Sequence, residues 1–133
     1  MATITSFEDL DIWKKAIDLG VMVYELSDKN LKVARDFSFK DQVKRAAQSV
    51  SNNIAEGFEY SNNNDFWRFL RFAKGSCGEV RSCLLFSIKV KYTTDEEVRA
   101  MIEFSRLLGS QIGNMMKYLR ANKAQQSKNK TNP

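Results

Sequence analysis

Histidine is absent from this chain of 133 residues, and proline occurs once, as the last residue. Without histidine there is no Ser-His-Asp triad, no Cys-His dyad, no HExxH zinc site and no imidazole general base. The di-metal centres that helical bundles build from Glu-x-x-His pairs lose their ligands for the same reason. No catalytic residue, metal site or cofactor is therefore expected, and no small-molecule substrate. With no internal proline and only 6 glycines, turn chemistry is scarce and long helices are the default. The 2 cysteines, Cys77 and Cys83, form neither a zinc knuckle nor a disulfide framework. At about 100° per residue along a helix they point to different faces. They read as buried thiols in a reducing compartment. No apolar run approaches the ~18 residues of a membrane span. The opening Met-Ala-Thr-Ile-Thr-Ser has neither the basic nor the apolar region of a signal peptide. The expected location is the cytoplasm, with no membrane partner.

What remains is 43% hydrophobic and 28% charged, a globular composition for one domain. A first helix is expected from about Phe7 to Leu26, with Ser6 as N-cap and Glu8 and Asp9 in its first turn. Leu10, Trp13, Ile17, Val21 and Tyr24 make one apolar stripe, and Ile12, Ala16, Leu19, Val23 and Leu26 a second. A face this wide fits a deeply buried helix. It fits equally a helix that packs in its own bundle and against another subunit. Ser27 to Asp36 reads as a connection. A second helix is expected from about Asp36 to Phe58, with Phe39, Val43, Ala46, Val50 and Ile54 inward and Ala47, Ser49 and Gly57 small enough for close approach. Asn64 is the expected cap of a third helix, about Asp65 to Val90, whose seam is Phe66, Leu70, Ala73, Cys77, Val80, Leu84 and Ile88. Gly75 and Gly78 inside it suggest close helix contact. Thr94 and Glu97 form a capping-box pattern ahead of a fourth helix, about Asp95 to Arg120. Its stripe is Val98, Met101, Ile102, Ser105, Leu108, Ile112, Met115 and Leu119. The fold class is all-α, an antiparallel up-down-up-down four-helix bundle over residues 1–122, with a disordered polar tail over 123–133.

Ala73-Lys74-Gly75-Ser76 lacks the spacing of a phosphate-binding loop and falls within a helix. Ser49, Asn53 and Glu56 share one side of the second helix, and Ser76 and Glu79 lie together on the third. Partly buried polar groups of this kind must be hydrogen-bonded. They are expected to form an interhelical network that fixes register, with Glu79 accepting from the second helix; a pocket is the alternative. Charge is uneven. Residues 1–28 carry two basic and six acidic groups, whereas 29–45 and 61–94 each carry six basic and two acidic. The overall charge of +5 therefore concentrates on the second and third helices. Side by side, these would present one positive face with Lys40, Lys44, Arg45, Arg68, Arg71 and Lys74 as phosphate-contacting cations. A merely solvated surface is the other account. Trp67, Phe69 and Phe72 lie near these cations and fit either base stacking or packing.

Two stretches are distinctive: Gln42-Val43-Lys44-Arg45-Ala46-Ala47-Gln48-Ser49-Val50-Ser51-Asn52-Asn53-Ile54-Ala55-Glu56-Gly57 and Phe69-Leu70-Arg71-Phe72-Ala73-Lys74-Gly75-Ser76-Cys77-Gly78-Glu79. With the opening Phe7-Glu8-Asp9-Leu10-Asp11-Ile12-Trp13, the chain resembles the 23S rRNA intervening-sequence four-helix-bundle family, also called 23S-associated ribosomal protein, from about Phe7 to Leu119. The resemblance implies a bacterial helical bundle that assembles as a homopentamer and has no established catalytic activity. It also implies kinship with the accessory protein of diversity-generating retroelements, which engages a reverse transcriptase and nucleic acid. Many members carry a proline before the second helix; Leu31 to Phe39 here has none. The expected function is thus a non-enzymatic, homo-oligomeric bundle that binds RNA, DNA or a nucleoprotein through a basic face. The alternative is an assembly or adaptor protein that binds another protein and no nucleic acid.

Overall fold

The computed structural model describes residues 3–130, and side chains over residues 3–122. A 3-10 turn, Phe7–Asp9, precedes five helices: α1 (Asp11–Lys29), α2 (Leu31–Arg35), α3 (Phe37–Glu59), α4 (Asn63–Lys89) and α5 (Asp95–Lys130). There is no strand among the described residues. Among these residues no helix is long and apolar enough to cross a membrane.

The helix ends show local chemistry that periodicity alone does not resolve. Ser6 caps the 3-10 turn, accepting from the Glu8 amide at 3.4 Å, and does not cap α1. The chain is extended at Leu10, whose side chain is buried, and α1 starts one residue later. Phe7 folds back edge-on against Trp13, with ring centroids 5.3 Å apart. The expected connection from Ser27 to Asp36 is mostly helical. α1 runs on to Lys29 and α2 follows, because Asn30 leaves the helical conformation and caps α2 by accepting from the Val33 amide at 3.0 Å. The absence of proline permits this extra turn, and Val33 anchors it in the core. Asp36 caps α3 through the Phe39 amide at 3.0 Å. Asn62, not Asn64, caps α4, accepting from the Asp65 amide at 2.9 Å and donating to the Asp65 carboxylate at 2.7 Å. The capping box at α5 forms as its pattern predicts, with the Glu97 amide 3.1 Å from Thr94 Oγ1. The end expected near Arg120 lies further on: α5 continues through Lys130. Ala121, Lys123, Ala124, Gln125 and Gln126 are good helix formers and no glycine or proline interrupts them. The proposed tail over 123–133 is thus helical backbone as far as residue 130, and its last three residues lie outside the described residues.

The four long helices form a closed ring. α3 packs on α1 and α4, α4 on α5, and α5 returns to α1, while the diagonal pairs make no close backbone contact. Neighbours are antiparallel. Asn30, Asp36 and Tyr92 meet at one end of the bundle. Asn63, Asn64, Leu119 and Arg120 meet at the other. The core is the set of stripes read from periodicity: Leu19 and Val23 from α1, Val43, Val50 and Ile54 from α3, Leu70, Val80 and Leu84 from α4, and Ile102, Leu108 and Ile112 from α5 are all buried. Each such side chain contributes about 1.5–3 kcal/mol of apolar transfer free energy. Of the two stripes on α1, only the second is wholly inside; Ile17, Val21 and Tyr24 remain exposed.

Gly75 and Gly78 do not mediate close helix contact, since a β-carbon at either would meet nothing within 4 Å. The close approach is at Gly57, which faces Phe66 and Phe69 where α3 meets α4. Cys77 and Cys83 are free and buried. Burial pushes the Cys77 thiol up to about 12 and also raises Cys83.

Candidate nucleic-acid interface

The six cations expected on one face are divided. Because α3 and α4 are antiparallel, residues 40–45 and 68–74, early in each helix, fall toward opposite ends of the bundle. They also turn to different flanks. Lys44 lies over the Tyr24 ring of α1, 4.5 Å from its centroid. Lys40 covers the neighbouring Phe37 ring at 4.7 Å. Arg45 pairs with Asp41 at 2.8 Å along its own helix. Arg68 pairs with Asp65 at 3.2 Å and covers the Phe69 ring at 5.3 Å. Only Arg71 and Lys74 come together, and they turn toward α5.

There they meet two cations that the charge count over helices two and three missed. Trp67, Arg71 and Lys74 of α4 face Gly113, Met116, Lys117 and Arg120 of α5 across a groove of about 370 Å³. Two steps of i,i+3, one on each helix, set a cation pair on either wall. Gly113 makes room for the Lys74 stem, because a β-carbon there would lie 3.2 Å from Lys74 Cε. The Arg120 guanidinium sits over the Trp67 indole, 4.2 Å from its centroid. No acidic residue lines the groove. None of these four cations forms an ion pair among the described residues. A second hollow of about 220 Å³ adjoins it, sharing Trp67 and Arg120 and adding Asn63, Asn64 and Leu119. The missed signal was in the sequence: no Asp or Glu follows Glu103, while Arg106, Lys117, Arg120, Lys123, Lys128 and Lys130 do. Antiparallel packing brings that half of α5 beside the first half of α4, which has no acid between Phe66 and Gly78.

The polar network forms in part. Ser76 Oγ donates to Ser49 Oγ at 2.9 Å, joining α4 to α3. Asn53 Nδ2 donates to both the carbonyl and the hydroxyl oxygen of Ser49, at 2.8 and 2.9 Å. Glu56 and Glu79 stay outside it. Both are exposed, and neither has a side-chain hydrogen bond among the described residues. The expected acceptor role of Glu79 is not formed. Three residues beyond Ser76 on a helix is about 60° short of a full turn, enough to turn the carboxylate to solvent.

The aromatics also divide. Tyr60 stacks on Phe69 with centroids 5.3 Å apart, and Phe69 meets Phe72 edge-on at 6.0 Å, so Phe69 is a packing residue at the α3–α4 corner. Phe72 is half-exposed on the outer face of α4. Trp67 alone sits inside the basic groove.

A family profile described as 23S rRNA-intervening sequence protein matches residues 8–116. The chain belongs to this family. Among solved structures, the bundle is similar to that of a protein of unknown function from the S23 ribosomal protein family of Bacteroides thetaiotaomicron, with a TM-score of 0.74 and 21% sequence identity over 80% of this chain and 98% of that one. At that identity the likeness speaks to the fold, and it agrees with the all-helical architecture. No curated protein matches this chain.

Proposed function

We propose that this intervening-sequence family protein is a non-enzymatic, homo-oligomeric bundle that binds nucleic acid through its basic end. One observation carries this reading: Arg71, Lys74, Lys117 and Arg120 converge on one groove with no acidic partner among the described residues. Four like charges held this close repel one another, and a polyanion relieves that repulsion. Phosphate contacts of this kind position a nucleic acid without reading its bases. The test is binding to a labelled structured RNA across ionic strength. Four phosphate contacts give an affinity loss of about 50- to 150-fold between roughly 50 and 200 mM salt. Replacing Arg71 and Lys117 with Ala should flatten that dependence. No binding at low salt would remove this reading.

A second reading, an assembly or adaptor protein, has its own support. Ile17, Val21 and Tyr24 lie exposed on α1 beside Gly20 and Ala47, over a shallow depression of about 380 Å³ between α1 and α3. This face suits a subunit contact on α1, and salt-sensitive RNA binding at the α4–α5 end separates the two readings. A homopentamer is the assembly that the family resemblance suggests. Free, buried cysteines suit a reducing compartment, consistent with the cytoplasm.

A further inference from the structure

Resting on the nucleic-acid reading above, we infer that the occupant of the α4–α5 groove is a single strand, with a base stacked at Trp67, and not a duplex. The cations stand on both walls. Arg71 and Lys74 approach from α4, and Lys117 and Arg120 from α5. A duplex resting on two helices that lie side by side touches the outermost side chains and leaves the groove floor empty. One phosphodiester strand lying along the groove reaches all four. The floor also differs from a plain phosphate cradle, because it contains an indole.

Trp67 is neither buried nor fully exposed, and it borders both hollows. The Arg120 guanidinium already lies 4.2 Å from its ring centre. That step of indole and guanidinium offers a flat surface of the kind on which unpaired bases stack. Bases of a duplex are stacked on one another and have no face to offer. The adjoining hollow adds the amides of Asn63 and Asn64, groups able to donate to and accept from a base edge. A basic groove following the backbone, an aromatic step for a base and side-chain amides beside it together match the requirements of single-strand binding.

The test uses the full chain carrying Trp13→Phe, which leaves Trp67 as the only tryptophan of the 2 present. A short unstructured RNA, a duplex of the same length and inorganic polyphosphate are titrated at low salt, following affinity and Trp67 fluorescence together. The single strand is expected to bind about tenfold or more tighter than the duplex and to quench Trp67. The exposed-site change Arg120→Gln should weaken the single strand several-fold and reduce the quench, with helicity unchanged. Equal or tighter duplex binding, single-strand binding without quenching, or polyphosphate competing as well as RNA would each overturn the single-strand inference while leaving the basic-end reading standing. Failure of all three polyanions to bind would overturn both, and would return the groove to a protein partner.

Discussion

Gly57 of α3 and Phe69 of α4 approach so closely that a β-carbon built on Gly57 would lie 2.6 Å from Phe69 Cβ. Phe66 borders the same spot, 3.3 Å away through its ring, and Gly57 is itself buried. Neither Phe69 Cβ nor Phe66 Cα, which lies 3.4 Å away, can move without shifting α4. Gly57→Ala is therefore expected to destabilise the bundle by about 1–3 kcal/mol, in spite of the better helix propensity of alanine. Thermal unfolding measures this. Gly75→Ala, which meets nothing, is the control and should stabilise by up to about 1 kcal/mol.

Tyr92 donates its hydroxyl to Asp36 Oδ2 at 2.9 Å, and the Phe39 amide donates to the other oxygen. These bonds, the backbone one foremost, hold the Asp36 carboxyl below its usual value of 3.8. A depressed carboxyl pKa means that the unfolded chain binds the proton first. The stability from this group is therefore present above the unfolded pKa and is lost as pH falls through the folded one. Asp36→Asn should lower Tm at neutral pH, and the gap from the parent protein should close below about pH 4. A constant gap at all pH values would show that the charge of Asp36 plays no part.

Asn30 makes three connections at once. It caps α2, and its amide donates to the Tyr92 carbonyl at 2.8 Å and to the Glu97 carboxylate at 3.1 Å. It thus ties the α1–α2 junction to the start of α5. Asn30→Ala should cost about 1–2 kcal/mol, at the upper end of cap substitutions because the tertiary bonds go with the cap. Urea unfolding reads the loss. Amide exchange should quicken first at Val33 and Thr93.

Cys77 lies against α5, with its Cβ 3.8 Å from the position of a β-carbon on Gly109, and burial pushes its thiol up to about 12. At pH 8 almost none of it is thiolate, and the thiolate is the reactive form. A thiol reagent should modify Cys77 only as fast as the native protein unfolds. Both cysteines should react promptly in denaturant. Prompt native-state labelling of Cys77 would contradict the tight α4–α5 contact.

On α1, Val21 is about half-exposed between Ile17 and Tyr24. If this stripe is the subunit contact, Val21→Glu should convert the oligomer to smaller species by light scattering while circular dichroism stays unchanged. An unaltered mass would remove α1 from the interface.

The stripes on α3, α4 and α5 were legible because 3.6-residue periodicity is written directly into apolar spacing. Leu70, Cys77 and Leu84 are buried as their spacing predicts. Caps were harder to place. Asn62 and Asn64 are chemically identical, and only the direction in which the chain enters α4 selects between them. The site was legible in composition and not in arrangement. Arg71 and Lys74 were found on α4, but their partners Lys117 and Arg120 come from a helix that begins at Asp95. Lys44 has the same charge and sits near the same motif, yet it lies over Tyr24 on another flank.

The sequence by itself determined four amphipathic helices, their antiparallel order and the inward stripes of α3, α4 and α5. Apolar periodicity and short polar connections leave a chain of this length few other ways to bury its stripes. Only the tertiary structure decided which cations become neighbours and which apolar stripe of α1 stays in water. Both depend on how each helix is rotated about its axis when it packs. That rotation is set by contacts between helices, such as Gly57 against Phe69 and Ser49 against Ser76, which no single stretch of sequence contains.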